Sequence, residues 1–293
     1  MAELHQISPE ELRDLSQASA LRSWAALALE WLIIFSCFYA VLNTTNIFVW
    51  VACFVILGRQ NYSLLALTHE AGHGHLFKSK RLNDFVGDWL CAAPVTFTLS
   101  MIRDPHVFHH AYTLTQRDPD YPTIGVYPVK KISFLRKLVR DILGITNYRG
   151  HITDNFFKET TRIKPKEYIP MVVVLSVMFF AFYWLGHPLY FFAFWLVPAA
   201  TVGVVLFRIN SVTEHGAMVE GGGNPECART IISPIGNFWF APHNHFYHSA
   251  HHLYQTVPFY NLPKLHKKLV ERGALKSERV YTSYWSALKE VLT

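Results

Sequence analysis

Four long, nearly uncharged apolar runs interrupt an otherwise polar and basic chain, at residues 24–42, 47–67, 169–185 and 189–207. Each approaches the length of about 20 apolar residues that a bilayer-crossing helix needs. The runs come in two pairs, joined by Asn43-Thr44-Thr45-Asn46 and by Gly186-His187-Pro188, turn residues suited to reversal at a membrane surface. The pattern therefore predicts two helical hairpins. The second run is the least clean: after Leu57 comes Gly58-Arg59-Gln60-Asn61, and Arg59 is expected to face the bundle interior or to snorkel inward. Glu30 is the one acid inside a span and reads as an interfacial acid near one end.

Shorter stretches complete the layout. Ser8-Pro9-Glu10-Glu11 has a hydroxyl three residues before a glutamate, with proline at the first helical position, and predicts a capped helix ahead of the first span. Residues 89–102 are apolar but too short to cross, which points to a re-entrant or surface-lying segment. In 129–145, Phe134, Leu135, Leu138, Val139 and Ile142 recur at helical spacing with Lys and Arg opposite. That is the pattern of an amphipathic helix resting on anionic lipid.

Charge sets the orientation. All 27 Lys and Arg lie outside 24–58 and 169–207, and the positive-inside rule puts that face, with both termini, in the cytoplasm. The formal net charge of +6 follows from this layout and calls for no nucleic acid. Composition agrees: 51% of residues are hydrophobic and only 16% charged, against roughly 25% charged in a soluble domain. The polar, mixed-charge start is not a secretory signal. The four cysteines form no C-x-x-C and read as structural. The expected fold is all-α and single-domain over 1–293: four spans in two hairpins, with a cytoplasmic helical cap at 68–168 and 208–293.

Histidine carries the chemistry. Twelve of the 16 histidines fall at 69–75, 106–110, 215 and 243–252. His69 and His73 are four apart, a spacing that stacks side chains on one helix face. His106-Val107-Phe108-His109-His110 and His248-Ser249-Ala250-His251-His252 repeat one pattern, H-x-x-H-H, which brings i, i+3 and i+4 together. All three arrays adjoin the same membrane face and predict one site. Eight imidazoles exceed the four ligands of a tetrahedral zinc, so the count calls for two metals. Neutral imidazole suits iron, zinc or copper, and of these a pair of irons adds redox change and dioxygen activation. His69-Glu70-Ala71-Gly72-His73 also spells the zinc-protease motif H-E-x-x-H, but a protease leaves the two repeated arrays unused. A metal transporter or sensor predicts ligands within the spans, where only Glu30 stands.

An H-x-x-x-H box, two H-x-x-H-H boxes and paired spans between them resemble the membrane fatty acid desaturase and hydroxylase family over nearly the whole chain. Arg81-Leu82-Asn83-Asp84, Asp118-Pro119-Asp120-Tyr121, Val257-Pro258 and Asn261-Leu262-Pro263 with His266 strengthen the likeness. The resemblance implies two non-haem irons held by His69, His73, His106, His109, His110, His248, His251 and His252, with His215, shortly after the fourth span, as a ninth ligand. It implies dioxygen as co-substrate, a lipid or acyl chain in a narrow tunnel, and desaturation of that chain. Hydroxylation or ketolation of a lipid, a carotenoid or a specialised small metabolite is the rival on the same site. Tunnel residues are expected within 86–102 and 171–206. Glu70, Asn210, Glu214, Asp118 and Asp120 are candidates to orient ligands, and His245, which shares a face with His248, is a further candidate ligand. His75 and His243 are expected to be neither; His5, His151 and His187 have no array. The first box has three residues between its histidines and the third begins with His248, which matches neither the stearoyl-CoA nor the front-end subtype. With no His-Pro-Gly-Gly haem motif and short termini, electrons are expected from a separate ferredoxin or b-type cytochrome with its reductase.

Overall fold

The computed structural model describes residues 7–148, 164–221, 226–275 and 280–293. His5 and His151 fall outside the described residues. The described chain is mostly helical. Its strands are two residues each, β1 (Thr230–Ile231) and β2 (Val280–Tyr281), paired in parallel.

Among the described residues, four helices are long and apolar enough to cross a membrane: α2 (Ala20–Asn43), α3 (Ile47–His73), α7 (Pro165–Trp184) and α8 (Pro188–His215). All four coincide with the expected runs, but α3 and α8 continue past them. At 1.5 Å per residue α3 is about 40 Å long, against about 30 Å of hydrocarbon. It is thus longer than that layer is thick, and its last turns carry His69 and His73. In α8, Pro198 lacks an N–H, and π-helical turns at Phe192–Leu196 and Ala199–Gly203 flank it. Side chains such as Leu32, Phe35, Phe48, Val177, Phe180 and Leu189 remain exposed on the outer faces, a surface stable only against lipid.

Small residues let α3 and α8 approach closely. A Cβ on Gly58 would lie 2.4 Å from Val202 Cβ, and one on Gly203 would lie 3.3 Å from the Gly58 carbonyl. Residues 89–102 form no single straight helix. Lys80–Val95 and α5 (Leu99–Tyr112) meet at 98° across Thr96, whose φ is 67°. The Trp195 indole donates to the Pro94 carbonyl at 2.7 Å and that of Trp31 to Leu90 at 3.1 Å, satisfying backbone groups that the irregular turns leave open.

Glu30 corrects the sequence reading. It is 2% exposed, enclosed by protein rather than open to water, because Arg59 faces the interior and donates to it at 2.8 Å. Gln60 donates to the same carboxylate, and His243 Nε2 lies 3.2 Å from its other oxygen and 3.0 Å from Ser63 Oγ. This network joins α2 and α3 to the loop that leads into the third histidine box.

The remaining helices form the cap. The capping box at Ser8 starts α1 (Pro9–Leu15) as expected. Helix α6 (Lys131–Ile142) corrects the single apolar face expected for 129–145. Phe134 and Leu138 pack inward on Tyr127, Val212 and Val291, while Ile132, Leu135, Val139 and Ile142 stay exposed. Its Asp141 is fully buried and paired with Arg208 of α8.

Removing one partner of a buried ion pair strands the other charge, at a cost of about 3–5 kcal/mol. Glu30→Ala is expected to lower unfolding stability in detergent by that amount, measured by denaturant titration; a loss no larger than that of an exposed alanine variant would refute the clamp.

Candidate metal centre

Each histidine array sits where its helix ends or bends. His69 and His73 close α3, with ring centroids 4.7 Å apart, and Gly74 stops the helix in the left-handed region at φ 81°, a conformation that favours glycine. The Arg81-Leu82-Asn83-Asp84 motif fastens this end. Asn83 Nδ2 donates to the Ala71 carbonyl at 2.9 Å, and Arg103 of α5 donates to Ala71 and Gly72 carbonyls at 3.0 Å and to Asp84. Arg103 was not legible as part of the site; in sequence it is one basic residue among many. His106, His109 and His110 follow Pro105 on α5. The third box forms the short helix α10 (His248–Leu253), and His215 ends α8.

The nine histidines converge in two groups. Ligand-capable nitrogens of His69, His73, His106, His110 and His251 lie within 4.8 Å of one another, as do those of His109, His215, His248 and His252. The repeated H-x-x-H-H boxes thus do not each serve one centre. Successive residues turn by about 100° on a helix, so i and i+4 stay together while i+3 points to one side. His106 and His110 join the first group and His109 the second; His248 and His252 join the second and His251 the first.

Within the groups nitrogen faces nitrogen. His106 and His110 Nε2 are 2.7 Å apart, His110 and His251 Nε2 3.1 Å, His215 and His248 Nε2 2.8 Å, and His248 and His252 Nε2 3.1 Å. Adjacent ligands about 2.1 Å from one ion in octahedral array lie about 3 Å apart, so this spacing fits imidazoles sharing a metal. His69 Nε2 and His73 Nε2 are buried with no hydrogen-bond partner, which a metal would supply. The residues present fit two imidazole-bound ions.

Outer contacts orient several rings. Asp118 accepts from His109 Nδ1 at 3.0 Å and from the backbone N–H groups of Leu114 and Asp120 at 2.8 Å; it is more than an Asp-Pro turn. Asp120 stands 3.6 Å from His109 Nδ1 and is half-exposed. The Cys227 carbonyl accepts from His215 Nδ1 at 2.9 Å. Asn210 Nδ2 donates to Glu214 at 2.8 Å, and Glu214 lies 3.7 Å from His248 Nε2. His245 precedes α10 in a turn and does not share the His248 face; its Nε2 is 3.2 Å from Glu70 and its ring packs on His69. Glu70 also approaches His69 and His75 and accepts from the Phe259 N–H at 3.1 Å. It is fully buried in these contacts, a tie rather than a base open to a peptide. His75 stacks on His73, His243 belongs to the Glu30 network, and His187 stacks on Tyr190. His266 packs on Tyr247 and enters neither group.

A cavity of about 510 Å³ opens beside the histidines and is lined by His69, His106, His109, His215, His245 and His248 at that end. Val95, Phe97, Met101, Ile102, Ala199 and Val204 come from the expected stretches, whereas Asn61, Tyr62, Leu65 and Ala66 of α3 were not anticipated as lining.

Burial and neighbouring imidazoles push His106, His110, His248, His251 and His252 downward, toward the neutral form. For His109 burial also works downward, but the hydrogen bond to Asp118 and the charges of Asp120 and Asp118 outweigh it and the net shift is upward.

The site defines a class: clustered histidines able to hold metal ions, set at the ends of apolar, membrane-length helices. The fatty acid desaturase family model matches residues 44–285, and the chain belongs to that family. It is an oxidoreductase family fold in an integral membrane protein. The chain is 23% identical to a beta-carotene ketolase of Paracoccus sp. (strain PC1) over 259 residues, covering 83% of this chain and 90% of the ketolase. It is 26% identical to a dihydrorhizobitoxine desaturase of Bradyrhizobium elkanii over 234 residues, covering 73% of this chain and 65% of that protein.

Two predictions follow from this geometry. Outer carboxylates typically contribute about 10–100-fold to metal affinity, so Asp118→Ala is expected to weaken metal binding by that factor in chelator competition, and unchanged affinity would refute its role. The five depressed imidazoles refuse protons that the unfolded chain takes up below a pH of about 6.5. Metal-free protein is therefore expected to hold its stability above that pH and lose it as pH falls, with His109 opposing only in part. A thermal midpoint that stays flat on acidification to pH 5 would contradict this.

Proposed function

We propose that this protein is a dioxygen-dependent oxidoreductase that desaturates a lipid acyl chain at a pair of histidine-held irons. The observation that carries the reading is the convergence of nine imidazoles into groups of five and four. In this reading His69, His73, His106, His110 and His251 hold one ion, and His109, His215, His248 and His252 the other. When bound, the irons supply redox change and dioxygen activation beside an unactivated C–H bond. The chain's own residues do the rest. Asp118 and the Cys227 carbonyl fix two ring orientations and their Nδ1 protons, leaving Nε2 free to bind. Glu70 sets His245 and His69 in place, and Glu214, held by Asn210, stands beside the His248 Nε2 that faces the second group. The cavity between α3 and α8 holds the chain against the histidines and keeps bulk water from the reacting carbon.

The membrane layout belongs to the same proposal. The spans form two hairpins, α2 with α3 and α7 with α8, and the histidine cap with both termini lies in the cytoplasm, as the Lys and Arg distribution supports. Electrons come from a separate donor, a ferredoxin or a b-type cytochrome with its reductase. The similarity to a carotene ketolase favours a second reading: oxygen insertion rather than removal of a second hydrogen, on the same ligands.

Metal analysis by mass spectrometry tests the reading. Detergent-purified protein is expected to hold roughly two irons per chain, and His109→Ala and His251→Ala, which empty different groups, each to retain one or fewer. One zinc per chain, unaffected by either substitution, would sink it. Product analysis with a reductase system then separates an alkene from an alcohol or ketone.

A further inference from the structure

Between the fourth span and the third histidine box the chain carries no charge from Thr230 to Pro242, and the centre of that stretch is the short helix α9 (Pro234–Phe240). It is too short to cross a bilayer. One face of α9 is filled by protein. Asn237 is buried and its Oδ1 accepts from the Tyr284 hydroxyl at 3.3 Å, and the Tyr284 ring lies so close to Gly236 that a Cβ there would collide. The other face is bare, with Ile235 80% and Phe238 49% exposed and Ile232 exposed just ahead of them. Large apolar side chains grouped in this way call for a partner.

The position of α9 along α3 identifies that partner. The Phe238 carbonyl accepts from Arg59 Nε at 3.0 Å, and the Phe240 carbonyl accepts from the Tyr62 hydroxyl at 2.8 Å. The Arg59 guanidinium also lies over the Phe238 ring, 4.6 Å from its centroid. Arg59 and Tyr62 stand about 12 and 8 Å short of Leu67, where the apolar run of α3 ends, at 1.5 Å per residue. Helix α9 is therefore fastened to α3 at two points within its membrane-length run. The bare face also continues a lipid-facing one, because the exposed Phe207 of α8 packs its ring on Tyr62.

The same contacts solve the problem of a helix end in lipid. The last carbonyls of a helix lack partners within it, and hydrocarbon supplies none. Arg59 and Tyr62 donate to two of them here. At the other end Pro234 has no N–H to leave open.

We propose that α9 is embedded in the bilayer, with Ile232, Ile235 and Phe238 against lipid acyl chains, so that the chain entering the third histidine box is anchored in the membrane. The layout thereby gains an element that neither crosses the bilayer nor belongs to the water-facing cap. It holds whichever reaction the histidines support.

Spin labels on introduced cysteines read the surroundings of this face, since the four native cysteines are buried. In nanodiscs holding one chain, a label at Ile235→Cys is expected to collide with oxygen in preference to a water-soluble nickel chelate. That preference should match a label at Leu32→Cys, exposed on α2, and oppose one at Lys267→Cys, exposed on the cap. A nickel-dominated reading at Ile235 overturns the proposal, and protection from both reagents overturns it in favour of a protein contact. Charge supplies a second measurement. Ile235→Asp is expected to shift the unfolding equilibrium about tenfold or more toward the unfolded state relative to Ile235→Ala, whereas a face in water would tolerate either residue. Equal stability of the two variants would also overturn it. Neither measurement involves metal or turnover, so failure of the proposed reaction shows separately, in metal content and products.

Discussion

Nine imidazoles can be packed nitrogen to nitrogen only if almost none of them is charged. Two protonated rings at 3 Å repel strongly in a buried site, so the whole cap is arranged to keep its histidines neutral and aimed. Burial alone would achieve neutrality but not direction. Direction comes from placing the rings on helix ends, where the backbone is rigid, and from acceptors behind them, such as Asp118 and the Cys227 carbonyl. His109 is the exception that shows the rule, since its carboxylate partner draws it toward charge until a metal takes the proton's place.

The apolar body serves that arrangement. Helix α3 runs on past its apolar run to deliver His69 and His73, and α8 does the same for His215. Each carries a buried arginine with an acidic partner: Glu30 for Arg59, Asp141 for Arg208. These pairs tie the membrane helices to the loop before α10 and to α6. The cap is thus anchored to the helices through charge as well as through packing.

Much of this was legible in the residue order. Runs of uncharged residues mark the four long helices because a bilayer-length apolar segment has few other uses, and the two H-x-x-H-H boxes mark the site because chance rarely repeats them. What could not be read is whatever depends on contacts between distant segments. The sorting of His251 away from His248 and His252 needs the relative placement of α5 and α10. Glu30 reads as an unpartnered acid until Arg59 and His243, far along the chain, are brought to it. His245 appears to share a face with His248 only if helix α10 starts early; in fact a turn precedes it and swings His245 toward Glu70. Asn61 as a cavity residue emerges only when α8 is laid against α3.

The division of each H-x-x-H-H box between two groups has a mechanical meaning. Neither α5 nor α10 belongs to one group, so a shift or rotation of either helix disturbs both at once. Anything that holds one group still would also hold the rings of the other, lowering the ordering cost there. The interleaving of five side chains with four therefore couples the two groups, so that a displacement in one is passed to the other.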